Sequence, residues 1–169
     1  MMHCGLELLP PGGDVWQQAD AIIEAIQEPH FPEHRVNVRD LGAQGDGTHN
    51  DLPVLQAAVD QCSEAGGGTV LVPAGTYWLE GPLHLKSHIN LQLEEGSILL
   101  FSGDLDDFLP VVYTRWEGTR LFNYSSFIYA NGVENVAITG AGTIDGNSEG
   151  KFQGWFEKQR PDQDRLRTM

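Results

Sequence analysis

Three consecutive residues, Arg115, Trp116 and Glu117, combine side chains that are suited to binding an acidic sugar. Tryptophan presents a flat apolar face on which a sugar ring can stack, and arginine can hold a carboxylate through two parallel hydrogen bonds. We therefore predict that these three residues form a substrate-binding surface. Lys86 and Arg120 are weaker candidates of the same kind. The alternative is that Trp116 anchors its loop to the body of the protein while Arg115 pairs with a neighbouring carboxylate.

Carboxylates that could act as a general acid and a general base are present, but their sequence contexts favour structural roles. The candidates are Asp46, Asp51, Asp104, Asp106, Asp107 and Asp145. The first two suit a turn and a helix N-cap, the middle three suit a solvated loop or an N-cap, and the last suits a turn. We therefore predict that this chain contains no catalytic residue.

The sequence contains no convincing pattern for a metal or a cofactor. The six histidines include no pair at a metal-binding spacing, because a predicted strand corner, and not one helical turn, separates His84 from His88. The three glycines at residues 66–68 lack the following Lys-Ser/Thr of a phosphate-binding loop. We predict no metal site and no cofactor.

The elements that must position these residues centre on residues 66–102, where apolar and polar residues alternate in short runs. The runs are residues 70–72, 77–79, 83–85, 89–93 and 98–101. None is long enough for a helix, and each ends in residues typical of turns. The connectors contain no Asn-Gly or Asp-Gly pair, the usual sign of a hairpin. We therefore predict parallel strands wound into a solenoid.

Two helices are predicted before this stretch. Residues 14–27 carry apolar side chains at helical spacing, with Asp14 as the N-cap, and we expect their apolar face to pack on the body of the protein. After a short strand and a polar turn at residues 44–51, a second helix begins with Asp51 as its N-cap and ends at the three glycines. A helix in this place is the expected cap of the first coil of a solenoid.

Sequence repeats support the solenoid. The matching segments are residues 68–70, 90–98 and 135–144, which share a step of glycine, serine or threonine, and an aliphatic residue. The copies lie about 28 and 46 residues apart, whereas one solenoid rung takes about 20–30 residues. The longer interval must therefore contain an insertion, which we place at residues 103–126. Its five aromatic residues predict that it packs against the coil.

The predicted organisation has two parts. Residues 1–34 form an N-terminal segment with the amphipathic helix, and residues 35–169 form the cap and first rungs of a β-helix domain. The repeat pattern fades after Asp145 and Gly146, so we expect the last rung to present an open edge. We predict that the chain self-associates through this edge.

The composition disfavours several classes of partner. The 169 residues include 24 Asp and Glu against 10 Lys and Arg, a net charge of −14, which opposes binding to nucleic acid or to an anionic membrane surface. No apolar run approaches the roughly 18 residues of a membrane span, and the N-terminus lacks the features of a signal peptide. We predict no nucleic acid, no membrane, and a cytoplasmic location if Met1 is the native start.

Longer segments resemble a known family. VNVRDLGAQGDGTHND followed by GGGTVLVPAGTY resembles the start of proteins throughout the pectin-lyase-like superfamily. LEGPLHLKSHINLQLEEGSILLFSGDLDDFLPVVYTRWEG and NYSSFIYANGVENVAITGAGTIDG resemble the bacterial polygalacturonase-like branch of glycoside hydrolase family 28. The resemblance covers residues 14–169. It implies an all-β fold, a right-handed parallel β-helix with an N-terminal helical cap, truncated after the first rungs. In that family, the loop that carries Arg115 here lies near the substrate cleft.

The resemblance also implies an activity, the inverting hydrolysis of α-1,4-galacturonosyl bonds in a pectin-type polysaccharide or oligosaccharide. The family's Asn-Thr-Asp, Gly-His-Gly and Arg-x-Lys motifs do not occur here, and the adjacent Asp pair lies in the inserted loop and not on a strand. We therefore expect the N-terminal part of such an enzyme, inactive by itself. The alternative hypothesis is a non-catalytic β-helix module, a glycan-binding adhesin or tailspike-like protein, or an inactive gene fragment.

Overall fold

The computed structural model describes residues 15–26 and 28–148. The described residues fall into two compact units, one that ends at His30 and one that begins at Phe31. The first unit contains helix α1, Val15–Ala25, which confirms the predicted helix. Its predicted N-cap, Asp14, lies outside the described residues, and the packing of its apolar face stays a prediction. The domain bounds that we predicted also stay a prediction.

The second unit consists mainly of short strands. Its helix α2 is Leu52–Glu64, and a 3₁₀ helix covers Leu105–Phe108. The strands are β1 Arg35–Asn37, β2 Asp46–Asn50, β3 Gly68–Val72, β4 Gly75–Leu79, β5 Leu83–His84, β6 Ile89–Leu93, β7 Ser97–Phe101, β8 Val112–Trp116, β9 Thr119–Asn123, β10 Ile128–Tyr129, β11 Ala137–Gly140 and β12 Thr143–Asp145.

The strands are wound into a coil, as the alternating runs predicted. One sheet has the order β1-β3-β6-β11, a second has the order β12-β7-β4-β2, and β5 pairs with β10. All of these pairs are parallel, and each strand pairs with the strand that lies one turn of the coil away. The fold is a right-handed parallel β-helix, which confirms the predicted fold class.

The core is a set of stacks that run along the coil axis. Val36, Val70, Leu91 and Ile138 occupy equivalent positions in successive turns. Alternation places every second side chain inside, and Val70 and Leu91 are fully buried. Burial of an aliphatic side chain stabilises a fold by about 1.5–3 kcal/mol, so these stacks hold the turns together. In the last described turn Ile138 is 46% exposed, since no described strand covers it.

Helix α2 covers the first turn of the coil, and its buried side chains are Leu55, Ala58, Val59 and Cys62. Asp51 occupies the N-cap position of this helix, as predicted. Its side chain makes no capping hydrogen bond to the helix. Instead the fully buried carboxylate accepts hydrogen bonds from the amides of Gln44, at 2.7 Å, and Gly45, at 2.8 Å. Asp51 therefore fixes the preceding loop to the helix.

The predicted polar turn at residues 44–51 is wrong in part, because it contains strand β2. This strand pairs with β4, with Asp46 opposite Thr76 and Asn50 opposite Trp78. Apolar alternation did not predict this strand, because its residues are polar and it is held in the sheet by backbone pairing. Asp46 keeps a turn role and accepts hydrogen bonds from the amides of His49 and Thr48 at 2.8 Å. These bonds, the His49 amide first, lower the pKa of Asp46.

The turn of the coil from β3 to β6 is shorter than the sequence repeats suggested. Gly68 pairs with Ile89 and Gly75 pairs with Ser97, so this turn takes 21 or 22 residues. Residues 68–70 therefore lie on a different sheet from Ser97, and their assignment as a copy of residues 96–98 is wrong. The match of residues 135–138 to residues 90–93 is displaced by two positions, because Ala137 pairs with Asn90.

Glycine occurs at Gly68 because its backbone lies directly against the His34 carbonyl.

The insertion at residues 103–126 is confirmed, but its packing is only partly as predicted. It contains the 3₁₀ helix and an antiparallel hairpin of β8 and β9. Phe108 is buried, and its ring meets that of Phe127 at a centroid distance of 5.4 Å. By contrast, Trp116 is 64% exposed and Phe122 is 69% exposed. The 3₁₀ segment therefore attaches the insertion to the coil, and the hairpin projects from it.

Candidate functional site

The β8–β9 hairpin places two arginines directly opposite each other. Its two-residue turn consists of Glu117 and Gly118, whose φ angles of 44° and 87° are those of a type I′ turn. The strand register then pairs Trp116 with Thr119 and Arg115 with Arg120. Arg115 and Arg120 therefore project from the same face of the hairpin.

The hydrogen bonding of the hairpin brings these two side chains closer. The carbonyl of Tyr113 points away from β9, because it accepts a hydrogen bond from the hydroxyl of Tyr129 at 2.7 Å. In an antiparallel ladder, pairs that point outward alternate with pairs that bond to each other. The Arg115–Arg120 pair, two positions further on, is therefore also a non-hydrogen-bonded pair, whose side chains approach most closely.

This face of the hairpin forms one wall of a cleft of about 680 Å³, and the coil forms the other. The hairpin supplies Tyr113, Thr114, Arg115 and Arg120. Strand β10 of the coil and the residues on either side of it supply Ser126, Ile128, Tyr129, Ala130 and Asn131. None of the described residues that line the cleft is a carboxylate. The cleft therefore carries two positive charges together with hydroxyl and amide groups, which are suited to an anionic, hydroxyl-rich ligand.

The charge of the cleft is not neutralised within the described part of the chain. Between described residues, Lys86 forms an ion pair with Asp60, and His88 lies 3.8 Å from the carboxylate of Glu134; neither contact includes Arg115 or Arg120. Like charges directly opposite in a sheet are destabilising. An anion bound between the two guanidinium groups would remove this repulsion.

The structure separates the three predicted site residues. Arg115 lines the cleft, whereas Trp116 projects from the other face of the hairpin and Glu117 lies in the turn at its tip. Arg120 joins Arg115 in the cleft. The alternative in which Trp116 anchors the loop is wrong, because its side chain is largely exposed. The substrate-binding role of Arg115, Trp116 and Glu117 stays a prediction.

Lys86 lies elsewhere. Its ammonium group contacts the carboxylate of Asp60 on helix α2 at 2.9 Å, so it ties the coil to the cap. The Lys86 hydrogen bond is the main cause that lowers the pKa of Asp60. Lys86 therefore has a structural partner, whereas Arg115 and Arg120 form no ion pair with another described residue.

The candidate carboxylates make local hydrogen bonds. Asp104 accepts from the amide of Asp106 at 3.3 Å and caps the 3₁₀ helix, and Asp107 accepts from the hydroxyl of Ser102. Asp145 accepts from the amide of Asn147 at 2.8 Å, as a turn residue does. These contacts confirm the predicted cap and turn roles, while the lack of a catalytic residue stays a prediction.

Residues 15–26 and 28–148 contain no group of three or more His, Cys, Asp and Glu side chains that could hold a metal ion. In the same part of the chain, neither helix is long and apolar enough to cross a membrane.

Sequence reasoning missed the coil side of the cleft, above all Tyr129 and Asn131. Tyr129 ends the two-residue strand β10 and Asn131 follows it, and neither shows a pattern that indicates binding. The pairing of β10 with β5 places this segment beside the hairpin. The Arg115–Arg120 pair did leave a signal. The two residues lie symmetrically about Glu117-Gly118, so a two-residue hairpin turn places them opposite each other.

Comparison with known proteins relates this fold to a group of β-helix proteins. The model of a family described as rhamnogalacturonase A/epimerase, pectate lyase-like, matches residues 35–94. An exopolygalacturonase structure from Thermotoga maritima is 41% identical, with a TM-score of 0.73 over 78% of this chain and 29% of that chain. A family 28 exopolygalacturonase structure from Yersinia enterocolitica is 39% identical, with a TM-score of 0.61 over 69% of this chain and 21% of that chain.

A curated relative without a hydrolase name is also similar. The plasmin and fibronectin-binding protein A of Streptococcus pneumoniae is 33% identical over 144 residues, which are 84% of this chain and 19% of that protein. The fold and these similarities define a pectin-lyase-like parallel β-helix protein. The chain is homologous to polygalacturonases of this superfamily and covers only part of their length. It spans less than a third of the length of each of these three relatives.

Proposed function

We propose that this chain is the N-terminal part of a polygalacturonase-like glycoside hydrolase and that its hairpin cleft binds a uronide. The observation that carries the proposal is the cross-strand pair of Arg115 and Arg120 in a cleft whose described lining contains no carboxylate. Each guanidinium can hold a uronate carboxylate through two hydrogen bonds, and the hydroxyl and amide groups on the coil side can bind sugar hydroxyls.

For the whole protein we propose hydrolysis of α-1,4-galacturonosyl bonds with inversion. The two exopolygalacturonase structures support this substrate class. Inversion requires an acid and a base about 6.5–9.5 Å apart, and we propose that these carboxylates lie outside this chain. A reducing-sugar assay of the 169-residue chain on polygalacturonate is then expected to show no turnover. Turnover above background would contradict the proposal that the chain lacks its catalytic pair.

The uronide cleft is tested by calorimetric titration of the chain with trigalacturonate. Hydrogen bonds to charged groups are worth about 1.5–3 kcal/mol, so Arg115→Gln and Arg120→Gln should each weaken binding by roughly tenfold or more. Glu117→Gln, at the tip of the same hairpin, tests whether the binding site extends beyond the cleft to Glu117, as the sequence predicts. An unchanged affinity in both arginine variants would contradict the cleft as the binding site, and a large loss in Glu117→Gln would support the wider site.

A second candidate is a non-catalytic β-helix module that binds a host protein or glycan. The similarity to the plasmin and fibronectin-binding protein favours it. This candidate predicts that the chain binds immobilised fibronectin or plasmin, and that Arg115→Gln leaves trigalacturonate binding, if there is any, unchanged. Tight uronide binding that depends on both arginines would reject it in favour of the hydrolase.

We further propose that the isolated chain self-associates through the last described rung. Ile138 and Ile144 are 46% and 42% exposed there, at the ends of the two core stacks. Light scattering over a range of concentrations should show assemblies, and Ile138→Lys should reduce them because a charge cannot be buried cheaply at the contact. A monomer at high concentration in the unchanged chain would contradict this proposal.

A further inference from the structure

Tyr129 and Asn131 hold one backbone atom of the hairpin. The carbonyl oxygen of Tyr113 accepts a hydrogen bond from the Tyr129 hydroxyl at 2.7 Å and a second from the Asn131 amide nitrogen at 3.3 Å. The same amide nitrogen donates to the Tyr129 hydroxyl at 2.9 Å. The three groups form a closed triangle between the coil and the hairpin.

The coil side of this triangle is firmly supported. Tyr129 belongs to β10, which pairs in parallel with β5, and its backbone carbonyl accepts from the amide of Leu85 at 2.8 Å. Its ring lies against the ring of His84, with centroids 5.1 Å apart. His84 is fixed in turn by Gln56 of helix α2, which exchanges two hydrogen bonds of 3.0 Å with its backbone. The Tyr129 hydroxyl therefore has a position set by the coil.

The hairpin side of the triangle has little other support. Strands β8 and β9 form a two-stranded sheet of their own, with no ladder to the coil. A two-stranded hairpin is marginally stable alone, so its position depends on the contacts at its base. Tyr113 lies two residues before Arg115 on the same strand and face, so displacement of the Tyr113 carbonyl displaces the arginine as well.

We propose that Tyr129 and Asn131 are positioning residues, which set the place of Arg115 in the cleft by holding the Tyr113 carbonyl. The proposal rests on the proposed uronide cleft, and it adds that side chains of β10 and the residues after it hold the cleft together. A bidentate contact between guanidinium and carboxylate is sensitive to small displacements, so a loosened hairpin should lose affinity even with both arginines present.

Two measurements on the 169-residue chain test this. The first is hydrogen exchange of the ligand-free protein, followed by mass spectrometry. Tyr129→Phe and Asn131→Ala each remove hydrogen bonds to the hairpin, so exchange at residues 112–123 should become about three- to tenfold faster. Exchange in β3, β6 and β7 should not change. Thr119→Val, at the tip of the same hairpin and on its other face, is the matched control and should leave exchange unaltered.

The second measurement is the trigalacturonate affinity of the same variants, alone and combined with Arg115→Gln. Tyr129→Phe should weaken binding by about three- to tenfold in the unchanged background and by much less when Arg115 is already replaced. A role in general stability would lower the affinity equally in both backgrounds. Equal losses, or wild-type affinity in Tyr129→Phe and Asn131→Ala, would overturn the proposal while leaving the uronide cleft intact.

If the unchanged chain does not bind trigalacturonate, the proposed function fails, and hydrogen exchange still decides the positioning role. Faster exchange confined to residues 112–123 would support the hold on the hairpin. Unchanged exchange in both variants would overturn it.

Discussion

At the scale of single residues, the charge of the cleft differs in sign from that of the chain. The net charge of −14 opposes a polyanionic partner on average, yet the described lining of the cleft contains Arg115 and Arg120 and no carboxylate. At physiological ionic strength, exposed charges are screened beyond about 8 Å. A ligand in the cleft therefore interacts mainly with the two guanidinium groups, and composition alone could not predict this.

The ion pair between Lys86 and Asp60 leads to a prediction about the pKa of Asp60. Its pKa is lowered from its ordinary value of 3.8, first by the hydrogen bond from Lys86. A lowered folded-state pKa means that the pair stabilises the fold above about pH 3.8 and that this contribution is lost as the pH falls through the lower value. Lys86→Met should return the pKa of Asp60 towards 3.8 in an NMR titration. A pKa that stays low in this variant would show that Lys86 is not its cause.

Asp51 is the buried carboxylate whose loss should cost most among the turn aspartates. Asp51→Asn keeps the shape but leaves one oxygen to accept from two amides, so the free energy of unfolding should fall by about 1–3 kcal/mol. Asp40→Asn, at an exposed position of the preceding turn, is the control and should change it by less than about 0.5 kcal/mol. Equal stability of the two variants in urea unfolding would argue against the anchoring role of Asp51.

At the scale of elements, apolar alternation predicted the strands that build the core and missed those that do not. Strands β6 and β7 alternate between buried and half-buried positions along their whole length, and β3 and β4 do so over their last three residues, in line with the apolar alternation of the sequence. Strand β2 was missed because its residues are polar and none of them is fully buried. The β8–β9 hairpin was not predicted because neither of its faces is fully buried, so it lacks a clear period.

The two ends of the insertion should respond differently to loss of an aromatic residue. Phe108→Ala removes a buried ring and should lower the free energy of unfolding by about 3–5 kcal/mol, because a cavity remains. Trp116→Ala removes a larger but exposed ring and should cost less than about 0.5 kcal/mol. Thermal and urea unfolding measure both. A large loss in Trp116→Ala would indicate that the hairpin contributes to the core.

At the scale of the whole molecule, the sequence predicted the coil but not its register. The β-helix follows from short apolar strands, tight corners and the cap helix, since few other folds accommodate that order. The register depends on which backbone groups pair. The sequence match aligned residue 135 with residue 90, whereas in the structure Ala137 pairs with Asn90, two positions further on. The cleft depends on the register, because one turn of the coil must bring Tyr129 and Asn131 to the hairpin.

The central claim is that the cleft recognises the carboxylates of a uronide and not merely a sugar shape. The most direct measurement compares the affinity of the 169-residue chain for trigalacturonate and for its fully methyl-esterified form, at the same ionic strength. Esterification removes the negative charges but keeps the rings and hydroxyls, so binding should weaken by at least about tenfold. Equal affinity for the two forms would contradict the assignment of Arg115 and Arg120 as carboxylate-binding residues.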